Sequence, residues 1–532
     1  MEHMAHKQKI VVIIAVMSAM LFAALNQTIV GTALPRIIAS LGGMEYFSWV
    51  FTIYMLASSI TAILVGKLSD IYGRKPFILS GLTIFIIGSL LAGLSQDIIH
   101  LILSRGIQGL GGGMIMSTSF AAIGDLFSPR ERARWQGLMG AAFGIASVLG
   151  PTLGGYIVDN ADWHWIFWVF LPFGVIALLL ITWLFPTVER RKGETIDYYG
   201  SILLTAFMVP LLLAFTWGGS RYTWGSIEIL ILLGGAMLAL TAFLLVEGRV
   251  KSPVLPLHLF RSRSFTVANV VGFLSGIGMF GAVMYTPFFV QGVLGASATT
   301  SGFAVMPMLL TMVTTSAITG QIVSRTGKYR KLAIMGLAVM TGGITSMALM
   351  NKDTAVINVG INMMVIGIGL GISFPIFSLT AQNAVDNKYL GVATATSQLF
   401  RQFGGTIGVA LLSIVMNQRL AIHLNKLFSQ TIVDDLWQQE PQMAESFAAL
   451  QNPQILMNHE EIARIQAALP AHLEGTLEAM INILREALNY SLSGVFAVGA
   501  ILVFMGLVIT FFLEELPLRT TNRDMPKAKD VK

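Results

Sequence analysis

Two arginines, Arg105 and Arg401, stand inside long apolar stretches of the chain. A charge within a membrane-length apolar run is costly and usually functional. With about 1.5 Å of rise per helical residue, Arg105 falls roughly 10 Å from one end of its run and Arg401 about 15 Å from an end of its own. Such cations call for a carboxylate, and a carboxylate beside an arginine in low dielectric can take up and release a proton. The runs hold only one acid, Glu228, close to a run end. His100 and His164 sit at run entrances and the other histidines in loops or tails. Asn26 lies at a depth of roughly 14 Å, near that of Arg105, and is polar without being titratable. With Gln108, Gln382 and Gln398, these side chains suit recognition of a charged or polar solute, cation or anion. Proton exchange has no obvious seat among them. Met116, Met284, Phe288, Met306, Phe374 and Phe377 are expected to line an adaptable cavity around them.

Positioning such residues takes membrane helices. The chain has 532 residues, 55% of them apolar and 12% charged, where a soluble protein carries about a quarter charged. A water-soluble enzyme and a disordered chain are both excluded. Cysteine is absent, which removes disulfides, thiolate metal sites and cysteine nucleophiles. A helix spans a bilayer with about 20 apolar residues. The runs place spans near 10–35, 47–66, 76–95, 98–124, 135–158, 163–185 and 200–217. They continue near 226–246, 265–290, 301–323, 332–350, 355–380, 391–418 and 491–513, giving fourteen. The expected class is an all-α polytopic membrane protein.

Short-loop charge orients the bundle. Lys67, Arg74, Lys75, Arg130, Arg132, Arg134, Arg190, Arg191, Lys192, Arg325 and Lys328 are among the many bases on one side. The other side's short loops and helix ends carry Arg36, Arg221 and Lys352. The positive-inside rule places the basic side, with both termini, in the cytoplasm. Residues 421–488 fall on the opposite side and hold nine acids against three bases. They read as a solvated cap, or as a lid or cation-collecting vestibule. Ile462–Ile465 and Leu477–Ile481 have helical amphipathic spacing.

An internal repeat appears on shifting the chain by 254 residues. Gly66, Gly73, Gly137, Gly150 and Gly154 then land on Gly320, Gly327, Gly391, Gly404 and Gly408. The shift crosses an even number of spans, so the repeats run parallel. The organisation that follows is an N-terminal six-helix half (1–195), an inserted helix pair (196–250) and a C-terminal six-helix half (251–532). A cavity at the interface of the halves, opened by rocking, is the expected working part.

The first basic loop reads Gly66-Lys-Leu-Ser-Asp70-Ile-Tyr-Gly73-Arg74-Lys75-Pro76. Asp70 can pair with Arg74, and the short charged turn reads as a latch that breaks when the halves rock, with Arg134 in the next basic loop. The loop resembles the signature of the major facilitator superfamily. Arg105-Gly-Ile-Gln108-Gly109 is similar to its fourth-helix motif. Ala146-Ser-Val-Leu-Gly150-Pro151-Thr-Leu-Gly154-Gly155 is similar to its fifth-helix antiporter motif. As residues, those glycines read first as packing and bending elements. Trp163-His-Trp165-Ile-Phe167, Tyr285-Thr-Pro287-Phe-Phe-Val-Gln291 and Arg401-Gln-Phe-Gly404-Gly405-Thr-Ile-Gly408 resemble patterns of the fourteen-helix drug:proton antiporters, the EmrB/QacA-like branch.

The resemblance implies export of amphipathic, often cationic drugs across a bacterial cell membrane, driven by the proton gradient and needing no cofactor. It also implies Asp where this chain has Asn26, as proton carrier or partner of a cationic drug, tuned by the fourth-helix arginine. The departure leaves three readings open. Either the position carries an Asp→Asn substitution mimicking the protonated state, or the chain is coupled elsewhere through Asp125 or Glu228, or it is an uncoupled facilitator. Without Asp at position 26 the two arginines favour an anion, so export of an endogenous lipid, nucleotide or metabolite is the rival substrate reading. A membrane enzyme needs paired acids, a metal set or an activated nucleophile in the spans, and the sequence has none. A channel is disfavoured by the repeat and the charged latch loops, and no P-loop points to ATP. Function as a monomer among membrane lipids is expected, without nucleic acid.

Overall fold

The computed structural model describes residues 6–41, 47–127, 129–186, 197–219, 221–250, 253–296, 298–428, 456 and 474–518. Among the described residues, fourteen helices carry the fold. The first six are α1 (His6–Leu41), α2 (Phe47–Tyr72), α3 (Arg74–Gly93), α4 (Ile98–Leu126), α5 (Pro129–Asn160) and α6, which is broken into Trp165–Trp168 and Leu171–Leu184. An inserted pair follows, α7 (Tyr198–Trp217) and α8 (Ile227–Glu247). The last six are α9 (Arg263–Pro287), α10 (Ala298–Thr326), α11 (Arg330–Ala348), α12 (Val356–Asn383), α13 (Leu390–Phe428) and α14 (Glu474–Thr510). No strand occurs among the described residues beyond a single bridge between Gly218 and Tyr222.

Apolar runs become helices here because hydrocarbon offers no partner for backbone N–H and C=O groups, so each segment must satisfy its own. Side chains finish the ends. Asp97 accepts from the His100 N–H at the start of α4, and Asp197 from the Gly200 N–H at the start of α7, both at 2.8 Å. Thirteen of the described helices are long and apolar enough to cross a membrane. Helix α5 is seated between α1 and α10.

Element ends differ from the expected spans where polarity and helicity part company. The α13 helix runs to Phe428 rather than stopping near 418, and α14 begins at Glu474 rather than near 491. Loss of hydropathy marks the membrane edge, not the end of a helix. The stretch Leu477–Ile481 is accordingly helical and buries Leu477 and Met480. Ile462–Ile465 and most of 421–488 lie outside the described residues. After Pro287, α9 continues as a π-helical turn, Phe288–Val293.

Helix pairing repeats along the chain. Within the first six helices, α1 packs on α4, α5 and α6, while α2 and α3 pack on α4. The same pairings recur eight helices later: α9 on α12, α13 and α14, with α10 and α11 on α12. The two sets meet along two seams related by the repeat, α2 with α13 and α5 with α10. The glycines singled out by the 254-residue shift hold equivalent places. Gly73 and Gly327 both turn the chain with positive φ, 89° and 70°. Gly137 lies against the Ser316 backbone of α10, and Gly391 against the Gly66 backbone of α2, so each repeat glycine closes one seam. Gly150 likewise abuts α1 at Thr28, and Gly404 abuts α9 at Phe273.

The inserted pair lies over one seam. Leu204, Met208 and Leu212 of α7 pack with Ala395, Leu399 and Phe403 of α13 and with Leu56 and Ile60 of α2. α8 packs on α7 and otherwise shows Ile227, Ile231 and Leu238 to its surroundings. An apolar helix exposed in this way is in contact with lipid.

Candidate functional site

The first polar constellation joins α1 to α4. Arg105 is fully buried. Its guanidinium donates to the Gln108 side-chain oxygen and, through Nε, to the Val50 carbonyl at 3.4 Å. It stands 4.4 Å over the Tyr54 ring. Gln108 Nε2 donates to Asn26 Oδ1 at 3.3 Å and to Ser89 Oγ at 2.6 Å, and Asn26 Nδ2 donates to the Phe22 carbonyl at 3.4 Å. Asn26, Arg105 and Gln108, brought together in the sequence by depth and by an i, i+3 spacing, therefore form one network. Arg105 does not reach Asn26 directly; Gln108 stands between them. One guanidinium nitrogen, Nη2, is buried without a partner. Tyr54 escapes sequence reasoning because a tyrosine in an apolar run gives no signal. The glycines of α4 that face it do: a methyl on Gly112 would meet the Tyr54 hydroxyl, and one on Gly109 the Tyr54 backbone and Ala57.

The second constellation is a cavity of about 460 Å³, including its mouth, between α9, α12 and α13. Phe374, Phe377 and Arg401, all predicted from sequence, line it. Arg401 lies with its guanidinium carbon 4.0 Å from the Phe374 ring centre. Ser275, Ser373, Ser378 and Ser397 also line the cavity, and small hydroxyls dispersed over three helices leave no motif to find. Ser397 donates to Asn269 at 3.1 Å, whereas the Ser275 and Ser373 hydroxyls are buried without partners. Neither arginine pairs with a carboxylate among the described residues.

The third constellation is the latch on the basic side. Arg74, buried, binds Asp70, donates to Asp125 Oδ2 at 2.8 Å and to Ser69 Oγ at 2.6 Å. Asp70 faces across the seam, accepting from the backbone N–H of Gly391 at 3.0 Å and of Val392 at 3.2 Å. These are the first turns of α13, whose free N–H groups and positive dipole end attract an anion. Nearby, Gln136 of α5 donates to Gln382 of α12 at 2.8 Å. Lys75 is half-buried and Arg134 exposed, and neither joins the latch bonds. It is Arg132 that turns inward, donating to the carbonyls of Phe127 at 2.9 Å and Gly124 at 2.5 Å. Two residues along a helix reverse the direction of a side chain, and loop charge alone cannot tell Arg132 from Arg134.

Other expected residues scatter. Met284 is 54% exposed, so it faces away from the bundle rather than into a cavity. Tyr285 is buried and donates to the Val409 carbonyl at 2.9 Å, tying α9 to α13. Phe288 packs in the apolar core of the second half. Gln291 donates to Ser301 at 2.8 Å. Met116 lies among residues of α1 and α5, including Leu25 and Ala146. Met306 and Gln398 are half-buried and lie outside the cavity lining. Gly150 and Gly154 are buried in α5, with Gly150 against Thr28; Pro151 and Gly155 share that helix. Glu228 is exposed at the start of α8.

Comparison with known proteins fits this geometry. Residues 16–409 match the family model of the Major Facilitator Superfamily. Over 524 residues the chain is 39% identical to the multidrug transporter protein MdtP of Bacillus subtilis (strain 168), covering 96% of this chain and 93% of that one. It is 33% identical over 517 residues to multidrug resistance protein 3 of the same organism, covering 97% of each. The human organic anion transporter MFSD10 has a similar structure, with a TM-score of 0.57 at 16% identity over 93% of this chain and 99% of that one. A bundle of membrane-length helices, paired in two repeated sets and sharing sequence with such proteins along most of its length, is a transporter rather than an enzyme, and the chain belongs to the major facilitator superfamily.

Proposed function

We propose that the protein exports amphipathic compounds through the bacterial cell membrane by alternating access, in exchange for protons. The basic side faces the cytoplasm with both termini, following the charge rule, and the working unit is a monomer drawing on the proton gradient without a cofactor. The observation that carries the reading is the Asp70 contact with the start of α13. A carboxylate on one repeat held by two backbone N–H groups of the other is a bond that a rocking motion breaks and remakes at low cost. A channel has no use for it. The two relatives named for multidrug transport and resistance support the direction of transport.

Asn26 cannot carry the proton. Asp70 and Asp125, both bound to Arg74, are the carboxylates placed where protonation loosens the seam. A panel of amphipathic compounds in proteoliposomes, with an imposed pH gradient, tests the reading. Uptake that follows the gradient for at least one compound supports it; uptake indifferent to the gradient for every transported compound removes the coupling. A second reading, export of an endogenous acidic lipid or metabolite on the same fold, is favoured by the two arginines without carboxylates.

A further inference from the structure

Arg105 and Arg401 differ in one respect that decides what each can bind. Arg105 is enclosed, with Nε and one terminal nitrogen already held by Val50 and Gln108. Arg401 is half-buried and opens onto a cavity. Among the described residues, its one contact of polar or π character is the Phe374 ring beneath it. A guanidinium has five N–H donors in one plane and no acceptor, and leaving them unmatched in a site of low dielectric is expensive. One lining residue, Ser275, adds a further unmatched donor, its buried hydroxyl, and the lining holds no carboxylate; the Ser373 hydroxyl turns away toward Gly336 of α11. The rest of the wall carries Ser378 and Ser397 and a soft apolar surface of Met279, Leu370, Phe374 and Phe377.

We propose that this cavity is an anion subsite, binding the carboxylate, sulfonate or phosphate group of an amphipathic substrate. Arg401 grips two oxygens of the acid side-on, as its fork geometry favours. The Ser275 hydroxyl, buried in the wall, turns to donate to the acid. The apolar part of the substrate lies on Phe377, Leu370 and Met279. An organic cation in the same place meets an unpaired positive charge at short range in low dielectric, which disfavours it. The proposal names the substrate class of the exporter described above and so rests on that reading for its biological meaning. The acid comes either from a soluble organic anion or from a lipid headgroup sliding in from the bilayer.

Binding is measured without any gradient, so a failure of transport leaves the test intact. The full chain is placed in phosphatidylcholine nanodiscs and titrated calorimetrically with a naphthalene sulfonate and, separately, with the matched naphthyl trimethylammonium. Empty nanodiscs are subtracted. The sulfonate is expected to bind, and to bind about tenfold or more weakly to Arg401→Gln, the loss of one charge-assisted hydrogen-bond pair. Arg401→Lys, which keeps the charge and loses the fork, falls between. Ser275→Ala, a change of one buried hydroxyl, weakens the sulfonate severalfold with no change in unfolding temperature, which guards against misfolding of the arginine variants. Nanodiscs containing phosphatidylglycerol then separate the sources. Competition that Arg401→Gln abolishes assigns the lipid headgroup, and Arg401-dependent binding without competition assigns a soluble anion. Equal sulfonate affinity in wild type and Arg401→Gln, or binding of the ammonium alone, overturns the proposal.

Discussion

Asp70 of α2 accepts the backbone N–H of Gly391, at 3.0 Å, across the seam between the two sets of six helices. The contact exists because Gly391 has no side chain. A methyl there would run into the Gly66 carbonyl, the Arg74 guanidinium and the Asp70 carboxylate together. Sequence repeat, close helix crossing and charge latch thus converge on one residue.

Gly391→Ala is expected to pry this seam apart and to slow transport about tenfold or more, since an added methyl in a packed interface costs roughly 1–3 kcal/mol. Gly302→Ala, where a methyl meets open space, serves as the control and leaves transport unchanged. Initial rates in proteoliposomes at matched protein content check both.

Gly137 stands at the repeat-related position on the other seam, where a methyl would lie 2.5 Å from the Ser316 carbonyl oxygen. Gly137→Ala is expected to impair transport in the same direction as Gly391→Ala. If the two seams open together, the double variant loses little more than the worse single one, a non-additivity that a double-mutant cycle on rates measures.

Asn26→Asp is expected to give or strengthen substrate-dependent proton exchange, followed with a pH dye trapped in proteoliposomes. The new carboxylate faces Gln108, whose amide already contacts Arg105 and Asn26. Unchanged proton flux excludes position 26 from coupling. Asn26→Leu strips Gln108 of one acceptor and is expected to cost about 1–3 kcal/mol of stability.

Most of the site was legible where chemistry and depth coincide. Asn26, Arg105, Gln108, Asp70, Arg74, Phe374 and Arg401 are polar or aromatic residues that apolar spans or short loops do not need for packing. What stayed hidden depended on rotation about a helix axis. Met284 and Tyr285 are neighbours in sequence, yet one is exposed and the other is buried. Arg134 and Arg132 part in the same way. The Asp197–Glu247 contact was invisible for another reason. The two acids lie at the facing ends of α7 and α8, distant in sequence, and each keeps one buried oxygen without a partner.

That contact carries its own prediction. A methyl on Gly200 would touch both carboxylates at once, with 2.6 Å to Glu247 Oε2, so the two acids share one small space. Glu247→Gln keeps the shape, supplies an N–H to the facing oxygen and is expected to raise stability by about 1 kcal/mol. Glu247→Ala also loses the acceptor for the Leu255 N–H and is expected to lower it. Thermal unfolding of the purified protein in one detergent compares the two.

Rocking of the two halves about this latch is the claim on which the rest depends, and it can be seen directly. The chain has no cysteine, so Pro76→Cys with Lys388→Cys places a spin label on each side of the basic seam without further changes. Pulsed electron–electron distances are then measured with and without a transported compound and at two pH values. The account predicts a short distance from the closed seam and a second, longer one, with populations shifted by substrate and pH and toward the longer distance by Gly391→Ala. A single distance, indifferent to substrate, to pH and to Gly391→Ala, would contradict it.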